Sequence, residues 1–238
     1  MEIKRVGTLY LIPSTLGDTR PEDVLPEKTL RIIRSLNSFI VEEIRSARRF
    51  LRKAGFSGDF DTTGILIFNE HTNRDELHTF LAPMLAGTDT GLLSEAGTPC
   101  IADPGAEIVD IARQAGIPIV PLSGPNSILL ALMSSGFNGQ NFSFHGYIPI
   151  DRKERQRKIK EMERAAIDND QTQIFIETPY RNKAILESLI QTCNPSTRLC
   201  IAIDLTLESE STNVLSIKEW RKKSVILPKR PAVFLLYR

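Results

Sequence analysis

No stretch of this sequence approaches the roughly 20 consecutive apolar residues that a bilayer span requires. The longest run near its middle is the six residues Ile128 to Met133. Residues Met1 to Gly7 lack the long apolar segment and small-residue cleavage site of a secretory signal, so neither a membrane span nor export is expected. Cysteine is scarce: Cys100, Cys193 and Cys200 are an odd count, widely spaced, with no metal knuckle or redox pair among them, which suits a reducing cytoplasm. No Gly-Lys-Ser/Thr phosphate loop and no GxGxxG follows the first strand, so nucleoside triphosphates and dinucleotides lose ground. A Gly-x-Ser-x-Gly elbow is also lacking, and hydrolase chemistry has no nucleophile to point to. His71 and His78 stand without the Cys or carboxylate spacing of a zinc site, and no metal is expected.

What is present is an ordinary globular composition: 238 residues, 41% hydrophobic and 25% charged, with 14 glycines and 14 prolines. That length holds one large domain or two compact ones. The net charge of +1 hides an asymmetry. Residues 1 to 120 carry 13 Lys and Arg against 17 Asp and Glu, whereas 121 to 238 carry 17 against 12, so a polyanion would meet the second half first.

Along the first half, short apolar runs alternate with helical spacings. Strands are expected at Thr8 to Pro13, Phe39 to Val41, Ile65 to Phe68, Gly91 to Leu93 and Ile117 to Val120. Helices are expected around Leu25 to Leu36, from Ile44 to Ala54, along Leu77, Leu81 and Leu85, and from Pro104, with Asp103 as N-cap. This alternation argues for a parallel sheet with helices on both faces. From Gln114 to Ile150 come 37 residues without Asp, Glu, Lys or Arg, read as buried: an interior helix (Asn126 to Ser135) between covered strands, a pocket-lining seam between domains, or both. A basic helix follows at Asp151 to Arg164, then strands at Gln173 to Glu177, Leu199 to Leu205 and Val233 to Tyr237 and a helix near Asn182 to Thr192, so the second half is α/β too.

Two strand-to-helix loops invite a ligand. In Ser94 to Gly105, small residues let a ligand approach the backbone beyond a strand's carboxyl end, where open parallel sheets bind. Pro121 to Ser127 repeats that geometry, and together the two bends could offer backbone groups to a neutral or cationic ligand. Taken singly, each is also an ordinary turn. Two charged clusters end apolar strands: Glu42, Glu43 and Arg45, with further arginines opposing the helix dipole, and Glu177 with Arg181, which an internal ion pair would equally explain. His145 is read as a satisfied core histidine or as a catalytic one.

The run Leu93-Ser94-Glu95-Ala96-Gly97-Thr98-Pro99, Asp103-Pro104-Gly105, Pro121-x-x-Gly124-Pro125, Phe142-x-Phe144-x-Gly146-Tyr147-Ile148-Pro149 and Glu177-Thr178-Pro179-Tyr180-Arg181 resembles the tetrapyrrole methylase superfamily, in order over essentially the whole chain. Within it, the closest likeness is to the ribosomal small-subunit RNA 2′-O-methyltransferase I branch. The resemblance implies a homodimeric, S-adenosylmethionine-dependent methyltransferase of two α/β domains, 1–120 with a mainly parallel sheet and 121–238 with a mixed one, and the cofactor folded into a cleft between them. Ser94, Glu95, Ala96 and Thr98 would match the cofactor loop of the first domain, and Asn126 with Ser127 the loop entering the second. Glu43 and Glu177 are the candidate bases, with Arg45 and Arg181 to set their pKa or hold a phosphate. The implied partner is rRNA or the small ribosomal subunit. A small tetrapyrrole-like acceptor and a cofactor-binding paralogue without catalysis are the alternatives. The sequence departs from the branch at Ser14-Thr15-Leu16-Gly17-Asp18, which replaces Thr-Pro-x-Gly-Asn. It departs again at Glu42-Glu43-Ile44-Arg45 for Glu-Asp-Thr-Arg, at Glu95 for Asp, and at Asp204-Leu205-Thr206, where flanking Arg and Lys are gone.

Overall fold

A computed structural model describes residues 5–223, 227 and 229–238. The chain divides into two compact units, Met1–Asn126 and Ser127–Arg238.

In the first unit the elements are β1 (Leu9–Ile12), α1 (Pro21–Val24), α2 (Glu27–Ser35), β2 (Ser38–Val41), α3 (Ile44–Lys53) and β3 (Gly64–Ile67). A 3-10 helix (Arg74–Leu81), α4 (Ala82–Leu85), β4 (Thr90–Leu93), α5 (Ala106–Gln114) and β5 (Ile119–Pro121) complete it. The strands form one sheet in the order β3-β2-β4-β1-β5, and every pairing is parallel. Parallel sheets are covered on both faces, and alternation along each strand divides the side chains accordingly. Phe39 and Val41 join Ile12, Leu30, Ile33, Phe50 and Leu51 beneath α2 and α3. Ile40 turns the other way, to Leu9, Phe68, Met84, Leu92 and Ile108.

Four sequence expectations shift here. The run Leu77, Leu81, Leu85 is not one α-helix: Pro83 lies in the first turn of α4 and supplies no N–H, so the preceding turns stay 3-10. Helix α5 starts at Ala106 with Gly105 as its cap, while Asp103 Oδ1 accepts from Gly105 N at 2.9 Å. Pro121 pairs in register with Leu11, which places it in the first sheet, so the division between units comes at Asn126 and not at residue 120. The uncharged stretch is not uniformly buried. Met133 is 77% exposed, because only the face of the helix bearing Ile128, Ala131, Leu132 and Ser135 packs inward, and Ile150, in the connection after Tyr147, is 78% exposed.

The second unit runs α6 (Ser127–Ser135), β6 (Phe142–Tyr147), α7 (Arg152–Asp168), β7 (Thr172–Glu177) and α8 (Asn182–Thr192). It continues with β8 (Arg198–Ile203), β9 (Ser211–Ser216), α9 (Ile217–Lys222) and β10 (Ala232–Tyr237). Its sheet is mixed, in the order β6-β7-β10-β8-β9: β6 and β7 are parallel, the other pairings antiparallel. Ile159, Met162, Phe175, Ile185, Leu189, Trp220 and Phe234 build the core under α7, α8 and α9. Trp220 also donates its indole N–H to the Leu199 carbonyl at 3.0 Å, which satisfies a buried polar atom.

Glu163 on α7 is nearly buried, yet it serves the fold: its Oε1 accepts from Asn194 N at 2.7 Å and from the Thr197 hydroxyl. Glu163→Ala leaves both donors unpaired, at a cost of about 1–3 kcal/mol. A urea melt should show that loss, and Glu163→Gln, which retains an acceptor, should recover part of it.

Candidate functional site

Because all five strands of the first sheet run parallel, their carboxyl ends share one edge, and β4, β1 and β5 are neighbours there. The loops leaving these three strands lock together. The carbonyl of Gly97 accepts from Ser14 N and from Ser94 Oγ, each at 2.9 Å, which ties the loop after β1 to the loop after β4. Asn126 Nδ2 donates to Thr98 Oγ1 at 2.6 Å, and Thr29 Oγ1 donates to the Ser123 carbonyl at 2.9 Å, which bind the loop after β5 into the same layer.

Glycine makes that approach possible. Gly97 sits at φ +74°, and a Cβ on it would lie 3.0 Å from Leu16 Cδ2 and 3.4 Å from the Pro125 carbonyl. A Cβ on Gly124 would lie 2.3 Å from Pro13 Cγ, on a ring that cannot turn away. The two bends were expected from separate domains; the first lies in the first unit and so does the second as far as Asn126, since β5 pairs with β1 and carries its loop along, while Ser127 opens the second unit. Ser94 is buried, Glu95 and Ala96 are exposed, and Thr98, Asn126 and Ser127 lie between. Ser14 Oγ is buried with no hydrogen-bond partner among the described residues.

Beside this layer lies a group of carboxylates. A small hollow opens between the end of β2, the first turn of α3 and Ser94–Glu95. Glu42 lines it, half-buried. Burial first, then the carboxyl groups of Asp103 and Glu95, push Glu42 up to about 8, so it holds a proton at neutral pH. Glu95 in turn accepts from Ser46 Oγ at 2.9 Å. The loop that delivers Asp103 is strained, with Cys100 at φ +68° and Ala102 at φ +59°, each costing about 1–2 kcal/mol for a residue with a Cβ. Burial, then Asp103, push the Cys100 thiol up to about 11, which removes it as a nucleophile.

Glu43, a candidate base, does something else. It is the N-cap of α3: Oε1 accepts from Arg45 N at 2.8 Å and Oε2 from Ser46 N at 2.7 Å. Those backbone N–H groups hold its carboxyl below the usual range, which makes it a weak proton acceptor. Arg45 is exposed, with no ion pair among the described residues. One of the neighbouring cations nearer the helix start, Arg48, has an aromatic reason: its guanidinium lies 5.1 Å from the Phe60 ring centre, a ring that Arg52 of the last turn approaches to 4.2 Å.

Glu177 and Arg181 belong to the second unit and form an ion pair, the partly exposed Arg181 Nη2 to the buried Glu177 Oε2 at 3.2 Å. The same Nη2 donates to the carbonyls of Ile148 and Pro149, both at 3.1 Å, so the pair clamps the chain after β6. His145 is held by Gln173 Oε1 at 2.7 Å, and burial lowers its pKa. Glu42, Asp103, Ser14 and Ser46 are what the sequence reading missed as a group. The signal available was an acid ending an apolar strand, but only the sheet order shows which strand end faces which loop.

Residues 8–220 match the family of Tetrapyrrole (Corrin/Porphyrin) Methylases. Proteins named ribosomal RNA small subunit methyltransferase I are similar: that of Vibrio cholerae is 28% identical over 211 residues, covering 89% of this chain and 69% of the relative. That of Escherichia coli O157:H7 is 27% identical over 213 residues, 90% and 70% of the two chains. Bacillus subtilis has one that is 30% identical over 189 residues, covering 78% of this chain and 60% of the relative. Among solved structures, the methyltransferase CobJ superposes with a TM-score of 0.65 at 17% identity, over 98% of this chain and 94% of that one. The uroporphyrin-III C-methyltransferase of Thermus thermophilus complexed with S-adenosyl homocysteine gives 0.59 at 16%, over 98% of both. The last two likenesses concern the fold.

Two outcomes test the geometry. A proton kept on Glu42 to about pH 8, against the usual 4.5, means that the folded state binds more protons than the unfolded one between those values, so stability falls as pH rises through that window. Glu42→Gln should therefore melt like the parent near pH 5 and higher than the parent above pH 8. Gly124→Ala should cost about 1–3 kcal/mol by overpacking against Pro13, read by urea unfolding.

Proposed function

This chain belongs to the tetrapyrrole (corrin/porphyrin) methylase family and is an S-adenosylmethionine-dependent methyltransferase; we propose that its acceptor is small-subunit rRNA, methylated on a ribose 2′ oxygen. The observation that carries the acceptor is the likeness to proteins named ribosomal RNA small subunit methyltransferase I across 89–90% of the chain, which takes in both units. A small tetrapyrrole-like acceptor is the second reading, favoured by the solved uroporphyrin-III methyltransferases of the same fold. An rRNA acceptor brings with it a cytoplasmic setting and the small ribosomal subunit as partner, and we assign the active form as a homodimer.

The residues at the carboxyl edge of the first sheet fit a cationic nucleoside. Ser94, Glu95, Ala96 and Thr98 present small side chains and an exposed carboxylate, Asn126 holds Thr98 in place, and Ser127 opens the helix that follows. The buried Ser14 hydroxyl has a hydrogen bond to give, and the carboxylates of Glu95 and Asp103 favour positive charge nearby. When bound, S-adenosylmethionine supplies an electrophilic methyl group on sulfur. The protein's part is then chiefly alignment, which can supply about 7–11 kcal/mol of a barrier of this kind.

A ribose hydroxyl is a poor nucleophile, and an acceptor for its proton adds about 10²–10⁴-fold. Of the carboxylates at hand we assign this to Glu42 with Asp103, since Glu43 is committed to the end of α3. Glu43 then acts by setting the first turn of that helix, and the exposed Arg45 beside it is placed to meet a phosphate. Glu177 and Arg181 act as positioning residues that hold the Ile148–Pro149 backbone.

Mass spectrometry of rRNA nucleosides from cells with and without this protein tests the acceptor: one 2′-O-methylated nucleoside should vanish in its absence. An unchanged nucleoside profile, with turnover on a tetrapyrrole instead, would favour the second reading. The pH profile tests the proton acceptor. Turnover should rise with an apparent pKa near 8, the value to which Glu42 is pushed, and Glu42→Gln should flatten the rise and lower kcat by about 10²-fold.

A further inference from the structure

We propose that one end of the second sheet, carrying Tyr147, Ile150 and Tyr180, is a stacking platform for unpaired bases of single-stranded RNA, with Lys229 and Arg152 placed for its phosphates. It deepens the rRNA reading and rests on it. Strands β6 and β7 run parallel, and β7 and β8 both lie antiparallel to β10, so the carboxyl ends of all three meet at the end where β10 begins. Tyr147 closes β6 opposite Ile176, and Ala232 opens β10 opposite both Glu177 and Ile203.

The backbone leaving that end is pinned. Arg181 ties the loop after β7 to the carbonyls of Ile148 and Pro149, and Asn182 Nδ2 donates to the Arg230 carbonyl at 2.8 Å. On this fixed backbone the apolar side chains are left outside: Tyr147 is 57% exposed, Ile150 78% and Tyr180 82%. Large apolar groups grouped on an ordered surface mark a binding site more often than a flaw of packing.

Charge identifies the occupant. Most carboxylates at this end are engaged: Glu177 with Arg181, Asp204 with Arg230, Asp151 with the backbone N–H groups of Lys153 and Glu154 at the start of α7, and Glu210 with the Thr206 N–H, while Glu154 and Glu208 are exposed without an ion pair among the described residues. Over residues 147–155, 177–183, 204–210 and 229–231, seven Lys and Arg stand against six Asp and Glu. Lys229 Nζ stands 6.0 Å from the Tyr180 ring centre, and neither Lys229 nor Arg152 has a carboxylate partner among the described residues. Aromatic faces beside unneutralised cations suit a ligand with flat rings and repeated negative charge. Stacked bases inside a duplex cannot reach such faces, whereas a single strand can splay its bases onto them, and every base has a face to offer.

The test uses the full-length protein and two fluorescein-labelled probes, a mixed-sequence 12-nucleotide RNA single strand and the matching duplex, read by anisotropy. Tyr180→Ala and Tyr147→Ala should each weaken binding of the single strand about five-fold or more, and Tyr180→Phe, which keeps the ring, should stay within about two-fold of the parent. Duplex binding and calorimetric S-adenosylmethionine affinity should hold steady. Lys229→Gln should weaken the single strand less in high salt than in low. Unchanged single-strand binding in both alanine variants overturns the platform. So does a dimer that dissociates in Tyr180→Ala, since the patch would then be a surface between copies. Methylation of rRNA with an unaltered KM in these variants removes the platform and leaves the acceptor standing. Ring-dependent RNA binding without rRNA methylation supports the platform and removes the acceptor.

Discussion

Much in the first unit depends on a single carbonyl. Gly97 C=O receives Ser14 N–H from the loop after β1 and Ser94 Oγ–H from the loop after β4, while the carbonyl of Pro125, from the loop after β5, approaches the same residue where a side chain would otherwise stand. Three loops can converge this closely only because their strands are parallel neighbours, so that they emerge side by side at one edge. The absence of a Cβ at Gly97 and Gly124 does the rest. Loops held so tightly have little freedom left to lose when they meet a ligand, and that is what preorganisation means in a site whose work is alignment.

Adjacent acids can have opposite fates for purely geometric reasons. Glu43 meets the backbone N–H groups at the start of α3 and is held ionised; Glu42, one residue earlier, meets burial and two other carboxyl groups and is held protonated. Nothing in residue type separates them. The difference arises because the two stand in the short turn between the end of β2 at Val41 and the start of α3 at Ile44, where successive side chains leave the backbone in different directions. Glu177 presents a third case. It is buried and pairs with Arg181, and the same guanidinium fastens two carbonyls of the chain after β6, so the pair serves as a clasp for the sheet end on which the exposed tyrosines stand.

Where pattern and structure parted, the causes are local. Ser211–Ser216 reads as polar and shows no apolar alternation, yet it forms β9, an edge strand half-open to solvent that pays for its polarity with little burial. Pro83 broke a run of leucines that otherwise has helical spacing. The uncharged stretch from Gln114 to Ile150 was taken as interior because charge is rarely buried, but the converse does not hold: Met133 and Ile150 carry no charge and are exposed. Arg155 shows the limit of reading a basic helix as a free surface. Its Nε donates to Ser188 Oγ at 3.0 Å and its Nη1 to the Ile150 carbonyl at 2.6 Å, so part of that charge is structural.

By itself the sequence determined the alternation of strand and helix, and with it the parallel sheet, because periodicities of two and of about 3.6 are local properties written in consecutive residues. It also determined the family, because small residues in the loops after β4 and β5 stand in a fixed order that resembles that family. Tertiary structure decided the rest: that both bends, as far as Asn126, belong to one unit, that Glu42 rather than Glu43 shares its surroundings with Asp103, and that Tyr147 and Tyr180 reach the same sheet end. Those facts follow from strand order and register, which join residues about 30 to 60 positions apart through backbone hydrogen bonds that no local pattern specifies.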